Sequence, residues 1–369
     1  MPQVTRPDNL TSRGAAGLSG PSRTTLQVAG PDNLTSRRAD SPVSLETEST
    51  PASGTPLRWT GTSQAGSMSQ TQSPHPARLR VGVVGTGRVG AVLGAALANA
   101  GHEVTGAYGV SEASRTRAEA LLPDVPLLAP EEVIARCDLA LIAVPDAVLP
   151  SLIAGLASNG AFRAGQLVAH PSGRYGIAVL DPVTRAGALP LAMHPAMTFT
   201  GTSLDLNRLH GASFGVTAPP VLRPIGEALV VEMGGEPVWV DEAHRVLYHT
   251  ALAHGANHLV TLVSESLDLL RAAGIEDPGK VLGPLLTAAL DNTLERGDEA
   301  LTGPVARGDA DTVAEHVRNI AAISPQSADA YVVLARLTAL RALASGKLRA
   351  HEAEGLLEVL ADRQDGAHA

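Results

Sequence analysis

The chain has 369 residues, enough for two domains of ordinary size, and its 44% hydrophobic and 18% charged content is that of a globular protein. Set against 37 acidic residues, the 28 basic ones leave a net charge of −9 with no basic run to track a phosphate backbone, and 2% aromatics offer few stacking platforms. Nucleic acid is therefore excluded as the expected partner, and the single cysteine, Cys137, excludes an internal disulfide and a multi-cysteine zinc cluster. Cys137 is expected to pack in a core. No run reaches the roughly 18 apolar residues of a membrane span, and the N-terminal region lacks a signal-like apolar run. No membrane partner and a cytoplasmic location are the corresponding expectations.

Residues 1–78 are rich in Ser, Thr, Pro and Gly, with Trp59 as their one aromatic, and are expected to be a disordered extension. They contain PDNLTSR twice, at Pro7 and at Pro31, too few copies for a repeat fold. The folded pattern begins soon after Met68, which is the expected natural start. From Leu79 short apolar runs alternate with helical segments, the pattern of βαβ units on a parallel sheet. Strands are predicted at Arg80–Val84, Glu103–Ala107, Leu139–Val144, Gln166–His170, Pro190–His194, Ala212–Thr217 and Pro237–Val240. Helices are predicted between them at Arg88–Ala100, Ser111–Leu122 and Val221–Met233. After Asp241 helical periodicity takes over, at Ala243–Ala273, Lys280–Arg296, Asp309–Ala322, Ser327–Ala344 and Ala350–Ala361. The expected division is an α/β Rossmann domain with a doubly wound parallel sheet over 79–241, an all-α domain over 242–362, and a disordered tail over 363–369.

Gly85, Gly87 and Gly90 follow the first predicted strand and open the first predicted helix, the context in which GxGxxG signals a dinucleotide site. Gly85 allows the tight turn, Gly87 lets the backbone approach a pyrophosphate, and Gly90 lets the helix pack closely on the sheet. Thr86, Arg88 and Val89 complete the turn at a helix N-terminus suited to anions. An NAD site usually ends its second strand with a carboxylate. Here the strand runs into Tyr108, Gly109 and Val110, and Ser111, Ser114, Arg115 and Arg117 follow, so NADP(H) is preferred over NAD(H). Solvated arginines on a helix are the plainer reading of Arg115 and Arg117.

The later strand ends are polar: Val144-Pro145-Asp146, His170-Pro171-Ser172-Gly173 and His194-Pro195. In open α/β sheets ligands lie across these carboxyl ends, so Val144, Pro145 and Asp146 are expected beside a nicotinamide. His170 and His194 are candidate proton donors, with Ser172 and Gly173 on the substrate. On the next helix His249 and Asn257 are further candidates. His254 and His258 lie four residues apart but lack the Glu of HExxH, so no metal is expected. Arg307, in the break LTGPVARGD, is a candidate anchor for an anionic substrate, in a turn where Asp309 also caps the next helix.

The stretches VGVVGTGRVG, AVPD at 143–146, HPSG at 170–173, MHPAMTF at 193–199, YHTALAHGAN at 248–257 and LTGPVARGD at 301–309 resemble the bacterial family that joins a Rossmann-like oxidoreductase domain to a domain of unknown function 2520. The resemblance runs from Leu79 to about Asp362. It implies a fold like those of 6-phosphogluconate dehydrogenase, ketopantoate reductase and pyrroline-5-carboxylate reductase, and a homodimer formed through the helical domain. It also implies an NAD(P)H-dependent reductase of a small oxo or imine acid, ketopantoate among the candidates. One departure stands out. Ketopantoate reductases use a helical Lys-x-x-x-Asn pair, and counting back from Asn257 gives Ala253, while the only lysines are Lys280 and Lys347. Proton donation then falls to His170, His194 or His249. The alternative expectation is a dinucleotide sensor with the same fold and no chemistry.

Overall fold

The computed structural model describes residues 78–361. The PDNLTSR pair, the expected start at Met68, the tail over 363–369 and all but Arg78 of the expected extension lie outside the described residues.

Seven strands form one sheet: β1 Arg80–Val84, β2 Glu103–Tyr108, β3 Leu139–Ile142, β4 Leu167–His170, β5 Leu189–Pro195, β6 Ser213–Thr217 and β7 Glu236–Trp239, in the order β2-β1-β3-β4-β5-β6-β7. β1 to β5 are mutually parallel. The expectation of a wholly parallel sheet is corrected at β6, which pairs antiparallel with β5, while β7 runs parallel to β6. A parallel return needs a long crossover, usually a packed helix. The link from β5 to β6 holds only the five-residue helix Leu204–Arg208, and the chain turns back beside β5.

The sheet is covered on both sides, which is why its strands read as continuous apolar runs rather than alternating ones. Successive residues face opposite ways. Val81 and Val83 pack with Leu93, Leu97, Leu191 and Leu229 on one face, and Val84 with Ile134, Ile142, Ile153 and Val168 on the other. The covering helices are α1 Arg88–Asn99, α2 Glu112–Leu121, α3 Pro130–Ala135, α4 Leu149–Ser158, α5 Asp181–Arg185, α6 Leu204–Arg208 and α7 Arg223–Glu232. Cys137 lies in the second face, where burial pushes its thiol up to about 11, as expected of a packing residue.

Five helices follow: α8 Arg245–Ala272, α9 Pro278–Arg296, α10 Ala310–Ile323, α11 Pro325–Ala344 and α12 Ala350–Ala361. The last three share a small core around Val313, Val332, Ala339 and Leu356. α8 and α9 bury only Arg245 and Pro278 respectively, leaving Leu247, Val260, Leu285 and Leu294 exposed. No helix among the described residues is long and apolar enough to cross a membrane.

Candidate active site

The glycine turn has the geometry its sequence requires. Gly85 has φ +104°, a left-handed conformation that favours glycine, and a Cβ there would lie 2.5 Å from the Ala143 carbonyl oxygen. A Cβ on Gly90 would lie 2.0 Å from the Gly85 carbonyl oxygen, so α1 reaches the sheet only through glycine. Gly87 differs: no protein atom lies within 4 Å of its Cβ position. The backbone there is clear for a ligand at the N-terminus of α1, where unpaired N–H groups and the helix dipole favour an anion. The turn thus fits the pyrophosphate of a dinucleotide. Thr86 is fully buried, its hydroxyl donating to the Ser114 carbonyl, which ties the turn to α2.

At the end of β2, Ser111 caps α2 by accepting from the Ser114 N–H. Arg115 Nε donates to the Gly109 carbonyl and Arg117 to the Thr86 carbonyl, each at 3.3 Å. Both guanidinium groups are therefore held against the turn rather than extended from the helix. Arg88 also belongs to this edge: a Cβ on Gly201 would meet Arg117 Nε at 2.6 Å and Arg88 Cγ at 3.0 Å.

The carboxyl ends of β1, β3, β4 and β5 open onto one cleft of about 430 Å³. Gly87, Arg88 and Val89 line it at one end, Val144, Pro145 and Asp146 in the middle, and Ser172, Gly173, His194 and His249 at the other. A Cβ on Gly173 would stand 2.5 Å from His249 Cδ2 and 2.8 Å from His194 Nε2, so two imidazoles close over residue 173 because it has no side chain. Their rings are perpendicular, with centroids 6.0 Å apart. The Ser172 hydroxyl oxygen accepts from the Tyr175 N–H, leaving its hydrogen to donate.

The three histidines are not equivalent. His170 is fully buried; its Nε2 bonds the Gly176 carbonyl at 2.8 Å and its Nδ1 accepts from the Ser172 N–H at 3.2 Å. Both ring nitrogens serve the loop, so His170 is corrected from candidate acid to structural support. Burial, reinforced by Arg245, pushes its pKa down to about 4, which keeps it neutral. His194 is brought down to about 4 by the same two causes in that order. Its Nδ1 lies 3.0 Å from Tyr248 Oη. His249 is half-buried on the cleft wall.

Two further candidates stand outside the cleft. Asn257 is exposed on α8 eight residues beyond His249, about 12 Å along the axis at 1.5 Å per residue. Arg307 is exposed in the turn before α10. Both are thereby corrected as ligands of this cleft within their own chain. The lysines are elsewhere: Lys280 pairs with Asp277 at 2.6 Å, and Lys347 bonds the Glu299 and Leu301 carbonyls. Among the described residues no group of three His, Cys, Asp or Glu side chains is placed to hold a metal.

Arg245 and Tyr248 were not singled out by the sequence reading. Arg245 is 1% exposed and donates to the carbonyls of Ser172, Tyr175 and Gly215, joining the loop after β4 to β6. No carboxylate is among its hydrogen-bond partners, and the carboxylate that acts on it electrostatically is Glu242. A basic residue at the start of a helix gives no sign of this in sequence, because its partners are backbone carbonyls about 30 and 70 residues away.

Residues 65–195 match the family of Rossmann-like domains, and residues 212–338 match the domain of unknown function 2520. The second match opens beside β6, where the sheet reverses. No curated protein matches the chain. Among solved structures, the fold is similar to that of a candidate NADP oxidoreductase from Bacteroides fragilis, with a TM-score of 0.61 at 19% identity over 71% of this chain and 98% of that one. A reductive aminase from Aspergillus terreus, solved with NADPH and ethyl levulinate, gives 0.53 at 18% identity over 73% and 95%. An imine reductase from Myxococcus stipitatus, solved with NADP+, gives 0.53 at 18% over 70% and 93%. At such identities the likeness is one of fold.

Proposed function

Because the chain belongs to the family that joins a Rossmann-like domain to a domain of unknown function 2520, we propose that it is an NAD(P)H-dependent oxidoreductase that reduces a small anionic oxo or imine acid, with NADPH preferred over NADH. The observation that carries this reading is the meeting of an unobstructed Gly87 turn with Ser172, His194 and His249 in one cleft. The dinucleotides present in the imine reductase and reductive aminase structures support the same reading. Ketopantoate is the first substrate to test.

The cofactor, when bound, supplies a hydride. The turn over Gly85–Gly90 and the α1 N-terminus would hold the pyrophosphate. Ser111, Arg115 and Arg117 would hold a 2′-phosphate as charge-assisted donors. Val144, Pro145 and Asp146, which line the middle of the cleft, would border the nicotinamide. Ser172 orients the substrate by hydrogen bonding, and His194 or His249 delivers the proton that a carbonyl oxygen or imine nitrogen requires. The buried charge of Arg245 favours an anionic substrate. A second copy of the chain covers the exposed apolar residues of α8 and α9, forming a homodimer through the helical region.

The absence of a lysine from the cleft favours a second reading, a dinucleotide sensor without chemistry. NADPH oxidation assayed with ketopantoate and related oxo and imine acids separates the two. Turnover supports the reductase; NADPH binding with no turnover across that panel supports the sensor.

A further inference from the structure

Among the described residues His194 has one side-chain hydrogen-bond partner, and it is a phenol. Tyr248 Oη lies 3.0 Å from His194 Nδ1, with the rings edge to face and their centroids 5.6 Å apart. The phenol occupies the space where residue 215 has no side chain, since a Cβ on Gly215 would come within 2.5 Å of Tyr248 Oη. Among the described residues His194 Nδ1 is also the one hydrogen-bond partner of Tyr248 Oη. A phenol always carries a hydrogen to donate, and the acceptor within its reach is His194 Nδ1. With Nδ1 accepting, a neutral imidazole carries its hydrogen on Nε2, the atom that overlies Gly173 at the cleft.

We propose that Tyr248 is a positioning residue: its hydroxyl fixes His194 in the Nε2–H tautomer and replaces the proton that His194 gives to the substrate. The tautomer stands on geometry alone, while the proton transfer rests on the reductase reading above. As the substrate oxygen or nitrogen gains negative charge it takes the Nε2 proton, and Nδ1 takes the Tyr248 proton. The imidazole ends neutral in its other tautomer and the phenol ends as phenolate. One proton has moved from Tyr248 to substrate, no electrons are exchanged within the relay, and solvent water later returns the proton. Arg245 holds the phenolate, its guanidinium carbon 5.5 Å from the phenol ring centroid. Burial raises the phenol's pKa, so its hydrogen is present at neutral pH. The other groups acting on His194 are Arg245, His249, Asp146 and buried His170. None of them competes for Nδ1 as a hydrogen-bond partner.

The test is two-bond nitrogen–proton correlation NMR on the full chain labelled at histidine nitrogens, at pH 7 without nucleotide or substrate, with His194 assigned by His194→Gln. The expected result is an Nε2-protonated neutral His194 in the wild type, shifting to a mixed or Nδ1-protonated pattern in Tyr248→Phe while the His249 signals stay in place. A wild-type His194 protonated at Nδ1, or an unchanged pattern in Tyr248→Phe, overturns the proposal, and the wild-type spectrum decides even if the variant folds poorly. In turnover, Tyr248→Phe is expected to lower kcat about tenfold or more with NADPH affinity unchanged; an unchanged kcat overturns the relay. Failure to bind any nucleotide would instead sink the reductase reading, with the tautomer still decided by the spectrum.

Discussion

Replacing Gly87 by alanine separates what the glycine turn needs for folding from what it needs for a ligand. Gly87 has φ −67° and ψ −171°, extended backbone open to any residue, and its Cβ position meets no protein atom within 4 Å. Alanine reduces the freedom of the unfolded chain, worth about 0.4–1 kcal/mol. Its poorer capping of α1 costs on the order of 0.5–1 kcal/mol, and the two offset. The ligand-free Tm is therefore expected to stay within about 3 °C of wild type. Binding should respond differently, because a methyl group at the pyrophosphate's approach removes a hydrogen bond to a charged group, about 1.5–3 kcal/mol or a roughly 30-fold rise in Kd. Thermal melts of the full chain read both quantities. With NADPH at about 100 times the wild-type Kd, the nucleotide adds about 2.7 kcal/mol to wild type but only about 0.9 kcal/mol to Gly87→Ala. Gly90→Ala is the contrasting control, since its Cβ would lie 2.0 Å from a backbone oxygen and the ligand-free protein itself should lose stability. A wild-type nucleotide shift in Gly87→Ala would refute the assignment of this turn.

Three other outcomes are expected. His170 is held near pKa 4 by burial, against an ordinary 6.5. Its neutral burial is without penalty above pH 6.5, and stability falls as pH drops from there toward 4, because the unfolded chain takes up a proton that the folded one refuses. Its share of the loss at pH 5 is about 2 kcal/mol, read by urea unfolding; equal stability at pH 7 and pH 5 contradicts it. Arg115→Ala should weaken NADPH about tenfold and leave NADH within about twofold by calorimetry, whereas equal losses would return Arg115 to the solvated surface. Light scattering should give twice the monomer mass for the full chain and the monomer mass for Leu285→Glu combined with Leu294→Glu, two side chains that are 66% and 79% exposed. A monomeric wild type contradicts the dimer.

The central strands were legible because they are buried on both faces, so runs such as Val81–Val84 and Leu139–Ile142 stand out from their surroundings. The direction of β6 was not, since an apolar run carries no sign of which way it enters a sheet, and the link before it holds only the five-residue α6 where the parallel return to β7 is carried by the ten-residue α7. α4 escaped notice; it begins with no side-chain cap and is only ten residues long, although its buried Leu149, Ile153 and Leu156 do recur at helical spacing. At the site, His170-Pro171 and His194-Pro195 look alike in sequence. They diverge because the loop after β4 folds back to give Gly176 and Ser172 as hydrogen-bond partners for both ring nitrogens of His170, whereas the His194 ring bonds Tyr248 from α8 through Nδ1 and leaves Nε2 at the cleft. Asn257 shares a helix with His249, but that helix runs 28 residues and leaves the cleft within its first turns. Arg245 and Tyr248 acquire their roles from contacts that only the folded chain creates.

Calorimetric titration of the full-length chain with NADPH and with NADH reads the nucleotide site itself. One site per chain is expected, with NADPH bound more tightly than NADH; binding of neither nucleotide would rule out a dinucleotide-dependent oxidoreductase.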